Sequence, residues 1–429
     1  MTTLKAVRGT RDLLPPETAL WNRIEATARA VFARYNFGEI RTPIFEDTGL
    51  FARGVGEETD IVSKEMYTWE DRARAQSEKT QSLTLRPENT AGVVRAYIEH
   101  QLGETGQLQK LYYIGPQFRR ERPQKGRYRQ FSQIGAEVIG PPSAGSESPL
   151  RDAEILEMLA TLLDELGITG WKLDLNSVGS SVDRARYNEV LRTALDSVVS
   201  GMCVDCQRRA VTNPLRVLDC KAPADQPIID TLPVIADSLD EASRTHFAQV
   251  LDALDAAGVP YSRNHRLVRG LDYYTRTTFE FTHGGLGAQN ALLGGGRYDG
   301  LSEAIGGPKA PGIGFAMGED RLILTLQATL NQGAVPPQLA DAFIAPLGES
   351  LNPAALALAR ELRGAGLGIE LGDGSFRLKK SFEAADKTAS RIVILGEDEL
   401  QSGILTVKTF ATGIQTKVPR TELAVFLKP

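Results

Sequence analysis

The sequence predicts an α/β protein that combines an α+β core, a mostly helical insertion and a small C-terminal α/β domain. Two apolar runs, at residues 111–114 and 131–139, flank a polar loop and indicate two strands joined by that loop. Residues 180–259 have a mostly helical pattern with charges of their own. From residue 342 onward, strand and helix patterns alternate, as in a small sheet covered by helices.

Length and composition limit the possible organisation of the chain. The 429 residues correspond to about three domains, and we expect a core at 1–325, a linker at 326–337 and a C-terminal domain at 338–429. The hydrophobic fraction of 42% and the charged fraction of 24% are those of a globular protein. No run approaches the roughly 18 apolar residues of a membrane span, and the N-terminus lacks an apolar signal region. We therefore expect no membrane segment.

The overall charge argues against indiscriminate binding of nucleic acid. The net charge is −5 and the isoelectric point is near 5.7. Any contact with RNA must therefore depend on local basic patches.

The first elements are a helix and a strand. Pro15-Pro16-Glu17 precedes a helical stripe of apolar residues, and Gly38 ends the pattern. The stripe consists of Leu20, Ile24, Val31 and Tyr35. Residues 40–45 then read as a strand, which Pro43 restricts to a sheet edge because proline lacks an N–H donor.

Residues 82–90 predict a strand that Pro87 stops. Glu88 and Thr90 follow and present a carboxylate and a hydroxyl side by side, a pair that suits an ammonium group with three donors and no acceptor. The alternative is an ordinary helix start, in which Asn89 or Thr90 caps the segment 91–100. Both interpretations can hold together.

The loop between the two apolar runs is strongly basic. One acidic residue, Glu121, lies among Arg119, Arg120, Arg122, Lys125, Arg127 and Arg129. This self-repelling arrangement predicts a bound anion rather than a solvated hairpin. On the returning strand, Gln133 and Glu137 are four residues apart and therefore point to the same face.

After the hairpin we expect a helix over 150–166, a strand over 171–178 and then the insertion. The insertion carries Cys203-x2-Cys206 and Cys220. Three cysteines in a long chain do not indicate a disulfide framework, and they fit a reducing cytoplasm. No fourth cysteine or histidine lies nearby at zinc-finger spacing, so we expect buried thiols and no metal site, with structural zinc as the alternative.

Three further stretches have unusual compositions. Residues 267–275, LVRGLDYYT, place Arg269 near Tyr273 and Tyr274, and a pairing of Arg269 with Asp272 is the plain alternative. Residues 294–301, GGGRYDGL, contain a triple glycine that lets backbone approach a ligand closely. Residues 312–322 predict a strand running into a helix that starts near residue 318, with Arg321 in its first turn, where an anion is favoured.

The C-terminal pattern predicts a small α/β domain with a mostly parallel sheet. Its strands are expected at 342–345, 368–371, 392–395 and 404–409, and its helices at 353–363 and 377–386.

These motifs carry a resemblance to a known family. FRRER and RQFSQIGAEVIG, at 118–122 and 129–140, resemble motif 2 of the class II aminoacyl-tRNA synthetases in the form found in the histidyl-tRNA synthetase family. LVRGLDYY and GGGRYDGL match that family's two signatures, and RPENTA, at 86–91, is similar to its RPEGTA segment. Residues 312–322 resemble motif 3, and the first helix and strand resemble motif 1.

The resemblance implies a class II antiparallel sheet flanked by helices and a C-terminal anticodon-binding domain. It also implies a homodimer that uses motif 1 as its interface. The implied reaction activates L-histidine with ATP and Mg²⁺ to histidyl-adenylate, and then transfers histidine to tRNA(His).

The resemblance also implies roles for individual residues. Arg119 and Arg269 would hold the α-phosphate and the attacking carboxylate, because a guanidinium binds two oxygens at once. Arg321 would hold the γ-phosphate, and Glu121 would contact the adenine or the metal.

Histidine recognition would use a second set of residues. A neutral imidazole needs one acceptor and one donor. Glu137 would accept from the ring, and Tyr273 or Tyr274 would donate to it. Glu88, Thr90 and Gln133 would hold the α-ammonium group.

Two alternatives remain at this point. The regulatory subunit of ATP phosphoribosyltransferase, a catalytically silent relative, resembles the same core. Such subunits typically lack the C-terminal domain, present here from about residue 338, and tend to lose the motif arginines, all three of which stand here. A threonyl- or prolyl-type synthetase is less consistent with LVRGLDYY and GGGRYDGL.

Overall fold

A computed structural model describes residues 3–56, 59–71, 80–124, 126–286, 290–329 and 339–428. The chain divides into two compact units, residues 1–335 and 336–429. The last helix of the first unit ends at Thr329, inside the predicted linker, and residues 330–338 lie outside the described part.

The first unit contains ten α-helices and eleven strands in the described residues. The helices are α1 Glu17–Arg34, α2 Thr48–Val55, α3 Thr90–Glu99, α4 Pro149–Leu166, α5 Ser181–Asp196, α6 Val204–Thr212, α7 Gln226–Ile229, α8 Glu241–Ala257, α9 Leu301–Ala304 and α10 Glu319–Thr329. The strands are β1 Gly38–Glu39, β2 Phe45–Asp47, β3 Tyr67–Asp71, β4 Gln81–Leu85, β5 Gln109–Phe118, β6 Gln130–Ile139, β7 Trp171–Ser177, β8 Ser262–Arg263, β9 Thr275–His283, β10 Ala291–Arg297 and β11 Gly312–Gly318.

An eight-stranded sheet organises this unit, in the order β1-β5-β6-β11-β10-β9-β7-β8. The six central strands pair antiparallel, as expected. The short outer strands β1 and β8 pair in parallel, so the complete sheet is mixed. A smaller sheet has the order β2-β4-β3.

The main core lies where α1, α4, α8 and α10 cover the large sheet. Ile24, Leu159, Val250 and Leu326 pack from these helices into one apolar cluster with Phe315 of β11. The predicted stripe of α1 is confirmed, because Leu20, Ile24 and Val31 are all buried. The burial of these large apolar side chains is the main source of stability for the eight-stranded sheet.

The strand predicted over 40–45 is wrong. Only residues 38–39 and 45–47 pair as strands in this region. Pro43 has no N–H, and the carbonyl oxygen of Thr42 accepts a hydrogen bond from Arg86 Nη1 at 3.0 Å. The backbone between the two short strands is therefore unable to complete a ladder.

The hairpin of β5 and β6 is confirmed. Ten residue pairs face each other across it, from Gln109 with Ile139 to Phe118 with Gln130. This register sets Glu137 opposite Leu111 and Gln133 opposite Gly115.

The insertion is mostly helical and has a core of its own. Apolar residues between Val178 and Leu239 form this cluster, and they include Cys206 and Cys220. Val268, which lies after the insertion in the chain, joins the same cluster. Helix α8 falls inside the predicted range but packs into the main core instead, through Val250, Leu251 and Leu254.

The second unit is a five-stranded sheet with helices. Its strands are β12 Ala342–Pro346, β13 Ile369–Leu371, β14 Arg391–Leu395, β15 Ile404–Thr409 and β16 Gln415–Pro419, and its helices are α11 Asn352–Gly364, α12 Leu378–Thr388, α13 Glu397–Ser402 and α14 Arg420–Phe426. The order is β13-β12-β14-β15-β16. The sheet is half parallel and half antiparallel, because β14, β15 and β16 form antiparallel neighbours. The sequence predicts a mostly parallel sheet. That prediction is wrong because it does not include β16 and does not anticipate that β15 pairs antiparallel with β14.

Candidate active site

A cavity of about 330 Å³ opens over the sheet where β6, β10 and β11 meet α10. Arg119, Arg269 and Arg321, which are far apart in sequence, all line it. The remaining charged lining residues are Arg127, Glu65, Glu121, Glu280 and Asp320. The structure thus brings the three predicted arginines together. It also places four carboxylates around them, and only one of these, Glu121, is expected from the sequence.

Arg119 is fixed from two sides just beyond the end of β5. Its Nε donates to the carbonyl oxygen of Pro87 at 2.9 Å. Its guanidinium carbon stands 5.3 Å from the centre of the Phe131 ring, which supplies a cation–π contact. The remaining N–H groups of the fork can therefore bind an anion without a loss of side-chain order.

Arg269 lies over the glycines of β10. Its Nη1 donates to Glu280 Oε2 at 2.6 Å. A Cβ atom at Gly294 would stand 2.6 Å from the guanidinium carbon, so only glycine leaves room for the arginine. Asp272, the alternative partner, accepts a hydrogen bond from Asn213 Nδ2 at 2.9 Å.

Arg321 lies in the first turn of α10, as predicted. Its Nη1 donates to the carbonyl oxygen of Ala291 at 2.6 Å. Burial, together with the positive charges of Arg127 and Arg269, lowers the pKa of Arg321. The pKa of Arg321 is lowered by two other guanidinium groups because all three positive charges lie close together in the cavity.

The basic loop divides between two cavities. Arg120 and Arg122 line a neighbouring cavity of about 630 Å³. Glu121 and Arg127 line both, with Glu121 Oε2 at 3.5 Å from Arg127 Nη1. Arg129 turns away and donates to the carbonyl oxygen of Arg8 at 3.2 Å. Lys125 lies outside the described residues.

A buried polar cradle adjoins the arginine cavity and centres on Glu137. Glu137 Oε1 accepts from the Thr90 hydroxyl at 2.7 Å, and Oε2 accepts from the Tyr298 hydroxyl at 2.7 Å. The side chain is completely buried, and this burial raises the pKa of Glu137 to about 8. Two donors within the described residues leave the oxygens of Glu137 with capacity for a further donor from a ligand.

Gly314 makes the cradle possible. It pairs with Glu137 across β11 and β6. A Cβ atom at position 314 would overlap Glu137 Oε2. The glycine spacing of β11 therefore creates the space for the carboxylate.

Glu88 caps helix α3 with its side chain. Its oxygens accept from the backbone N–H groups of Thr90 at 2.7 Å and Ala91 at 3.0 Å. Asn89 occupies the N-cap position, as expected, but its side chain makes no capping hydrogen bond, because Asn89 Oδ1 accepts from the Thr42 hydroxyl at 2.6 Å. The Thr90 hydroxyl donates to Glu137 instead. Burial raises the pKa of Glu88.

Three tyrosines line the cradle. The rings of Tyr273 and Tyr274 have centres 4.7 Å apart, and Tyr273 lies 5.9 Å from Tyr298. Burial first, then the neighbouring Tyr274, Glu88 and Glu137, raise the pKa of the Tyr273 hydroxyl well above its usual value. This phenol is therefore a protonated donor at physiological pH.

Gln133 connects the two parts of the site. It lines the arginine cavity and lies four residues from Glu137 on the same face of β6. Its Oε1 is buried and accepts no hydrogen bond within the described part of the chain. This oxygen is a ready acceptor for a donor supplied by a ligand.

The loop that carries Arg269 and the tyrosines is held by the insertion. Arg216 Nη1 donates to the Gly270 carbonyl oxygen at 3.0 Å, and Arg184 Nη1 donates to the Asp272 carbonyl oxygen at 2.9 Å. Asn213, at the end of α6, binds the Asp272 carboxylate. The insertion therefore fixes the backbone on which Arg269 stands.

Two family models together match almost the whole chain. A model described as histidyl-tRNA synthetase matches residues 9–322. A model described as an anticodon binding domain matches residues 341–429.

The chain belongs to the histidyl-tRNA synthetase family.

Individual members of this family are similar over the whole chain. A histidine–tRNA ligase from Koribacter versatilis (strain Ellin345) is 70% identical over 426 residues, which cover 99% of this chain and 96% of the relative. One from Solibacter usitatus (strain Ellin6076) is 56% identical over 99% of both chains. The apo histidyl-tRNA synthetase of S. aureus has 36% identity and a TM-score of 0.80, with all of both chains covered.

The family and the aminoacyl-tRNA ligase class expected from the sequence are confirmed by these matches. The silent regulatory subunit has no support, since the two relatives described above, which match the full chain, are histidine–tRNA ligases. Among the helices of the described residues, none is long and apolar enough to cross a bilayer.

The sequence interpretation missed two residues of this synthetase site. Tyr298 bonds to Glu137, and Glu280 pairs with Arg269. Both residues could have been found from the sequence. Tyr298 belongs to the GGGRYDGL signature, and Glu280 stands between buried residues on β9, where a charged side chain is unusual.

Proposed function

We propose that this family member is a histidine–tRNA ligase that activates L-histidine with ATP and transfers it to tRNA(His). One observation carries the proposal. Arg119, Arg269 and Arg321 line one cavity, and that cavity adjoins a cradle built from Glu137, Thr90 and tyrosine hydroxyls. The arginine cavity suits the phosphates of ATP, and the cradle suits a small polar amino acid.

In the first step, a histidine carboxylate oxygen attacks the α-phosphorus of ATP, and the bond to the bridging oxygen of pyrophosphate breaks. Negative charge on the phosphate oxygens increases as this happens. Fixed guanidinium groups stabilise that charge without reorganisation. Arg269 and Arg119 both line the cavity and hold the two reacting groups in contact. Arg321 holds the terminal phosphate.

The carboxylates of the cavity suit Mg²⁺, which prefers oxygen ligands. Glu121 and Glu280 both line the cavity and would hold the ion beside the phosphates. When bound, Mg²⁺ neutralises phosphate charge and orients the leaving pyrophosphate. Glu280 also orients Arg269, because their salt bridge is 2.6 Å long.

Histidine recognition rests on the cradle. The imidazole N–H donates to Glu137, and the hydroxyl of Tyr273 or Tyr274 donates to the other ring nitrogen. Gln133 Oε1, which has no donor within the described residues, accepts from the α-ammonium group together with Thr90 and Glu88. Because Glu88 also caps α3, its carboxylate position is fixed before histidine arrives.

Binding of tRNA(His) is assigned to the second unit, whose residues 341–429 match an anticodon binding domain model. We also assign a cytoplasmic location, which is supported by three free cysteines, because free thiols persist in a reducing compartment.

A homodimer is part of the proposal. Phe45 and Trp69 lie on the small sheet with ring centres 6.0 Å apart, and they are 52% and 39% exposed. Exposed aromatic pairs of this kind favour a protein interface. Light scattering of the wild type and of Phe45→Asp should give a dimer and a monomer, respectively. A monomeric wild type would remove this part of the proposal.

The ligase activity is tested by ATP–pyrophosphate exchange with each of the twenty amino acids in turn, followed by charging of tRNA(His). We expect exchange with L-histidine alone. Exchange with threonine or proline, or tight histidine binding without exchange, would contradict the proposal.

A further inference from the structure

Three cysteines and one aspartate converge inside the insertion. Cys203 and Cys206 stand at the start of α6, while Cys220 and Asp225 follow later in the chain. Their sulfur atoms and one carboxylate oxygen all lie within 4.8 Å of one another. Asp225 is not among the ligands expected from the sequence, because that expectation covers only cysteine and histidine at the fourth position.

The separations fit a tetrahedral zinc site. With Zn–S bonds of about 2.3 Å, two sulfur ligands stand about 3.8 Å apart in a tetrahedron. Cys203 Sγ and Cys220 Sγ are 3.8 Å apart. Cys220 Sγ and Asp225 Oδ2 are 3.3 Å apart, close to the roughly 3.6 Å edge expected for one sulfur and one oxygen ligand.

The surroundings support anionic ligands. The backbone N–H of Cys203 donates to both oxygens of Asp225, at 3.1 and 3.2 Å, and the N–H of Ala222 donates to Cys220 Sγ at 3.3 Å. Cys203 and Cys206 also stand at the N-terminal end of a nine-residue helix, where negative charge is favoured. Backbone donors of this kind orient metal ligands and stabilise thiolates.

The cluster is mostly buried. Cys206, Cys220 and Asp225 are at most 5% exposed, and both cysteines belong to the apolar core of the insertion. A carboxylate in such a place is costly unless a cation or several donors compensate its charge. Thiolate ligands select zinc over magnesium or calcium.

We propose that Cys203, Cys206, Cys220 and Asp225 bind one zinc ion that stabilises the insertion. All four positions are filled by protein, so the site is structural and has no open position for a substrate. The ion joins the start of α6 to the segment 220–225. Through Asn213 at the other end of α6, it supports the loop that carries Arg269.

The first experiment uses the full wild-type chain, purified without chelators under reducing conditions. Elemental mass spectrometry should find about one zinc per chain. Replacement of zinc by Co²⁺ should give thiolate-to-cobalt charge-transfer absorption and the ligand-field bands of a tetrahedral site. Alkylation of the cysteines should be slow until a chelator is added. Metal-free protein that takes up no Co²⁺, or a Cys203–Cys220 disulfide, would overturn the proposal.

The second experiment compares matched variants. Asp225→Asn and Cys220→Ser should lower the zinc content at least several-fold and lower the melting temperature. Asp205→Asn is the control, because this exposed carboxylate lies between Cys203 and Cys206 but outside the cluster. Equal zinc content in Asp225→Asn and Asp205→Asn would overturn the assignment of Asp225. If a variant fails to fold, the wild-type measurements decide.

Discussion

Glu137 and Gly314 face each other across β6 and β11, and the carboxylate of the first occupies the space that a side chain at the second would fill. The position of the Glu137 side chain at the centre of the cradle therefore depends on the absence of a Cβ atom on the neighbouring strand.

Gly314→Ala should displace Glu137 and weaken histidine binding. The new Cβ would overlap the carboxylate and also stand 2.7 Å from the carbonyl oxygen of Ala136, so the sheet must shift. We expect a loss of about 1–3 kcal/mol in unfolding free energy and a raised KM for histidine. Gly318→Ala, on the same strand with no atom within 4 Å of the position its Cβ would take, is the control for stability. Denaturant melts of both variants measure the difference, and equal stabilities would disprove the overlap.

Arg269→Ala should lower the rate of adenylate formation by about 10²-fold or more while histidine binding changes far less. The reason is that Arg269 stabilises charge that develops during the chemical step. ATP–pyrophosphate exchange at saturating histidine gives the rate, and calorimetry gives the affinity. Arg266→Ala, three residues earlier on the same loop and bound to Asp230 and Gln226, is the control. Equal losses in rate and affinity would assign Arg269 to binding alone.

Glu137→Gln should raise the KM for histidine about 10-fold or more, because an acceptor oxygen is replaced by an NH2 group that cannot accept from the ring N–H. The KM for ATP should stay unchanged, since Glu137 is not among the residues that line the arginine cavity. Tyr298→Phe, which removes one donor to Glu137, should produce a smaller effect in the same direction. Unchanged histidine affinity in both variants would remove Glu137 from the recognition of the ring.

Glu319 predicts a pH-dependent stability. Burial, opposed by Ser132 and Arg29 and reinforced by the charges of Glu25 and Asp320, raises the pKa of Glu319 from 4.5 to about 8. Between these values the folded state holds a proton that the unfolded state has lost, so stability falls as pH rises through this window. Glu319→Gln removes this loss and should stabilise the protein by roughly 4–5 kcal/mol at pH 9 with little change at pH 4.

Melting temperatures measured from pH 4 to pH 9 check this prediction. Glu303→Gln, an exposed carboxylate on α9, is the control and should parallel the wild type. A Glu319→Gln curve that runs parallel to the wild-type curve would show that the carboxylate ionises normally.

Sequence patterns are sufficient for the elements that depend on local periodicity. The apolar stripe of α1 and the two faces of β6 follow from side-chain spacing alone, so Gln133 and Glu137 can be assigned to one face. The shared cavity of the three arginines could be expected only through the family resemblance, because no local rule connects residues 119, 269 and 321.

The errors have long-range causes. Residues 40–44 have strand-like composition, but Arg86 takes the carbonyl oxygen that a ladder would need. Glu88 caps α3 although Asn89 is the better local candidate, because Thr42 occupies the Asn89 oxygen. The partnership of Glu280 with Arg269 depends on the register of β9 and β10, which sequence spacing does not specify.

The hydrogen bonds from Arg184, Arg216 and Asn213 to the 270–272 backbone and side chain have a consequence for regulation. They couple the insertion directly to the position of Arg269. A molecule that tilted α5 or α6 would therefore shift the backbone beside Arg269. The insertion is therefore a position from which inhibitors could act without competing with ATP or histidine.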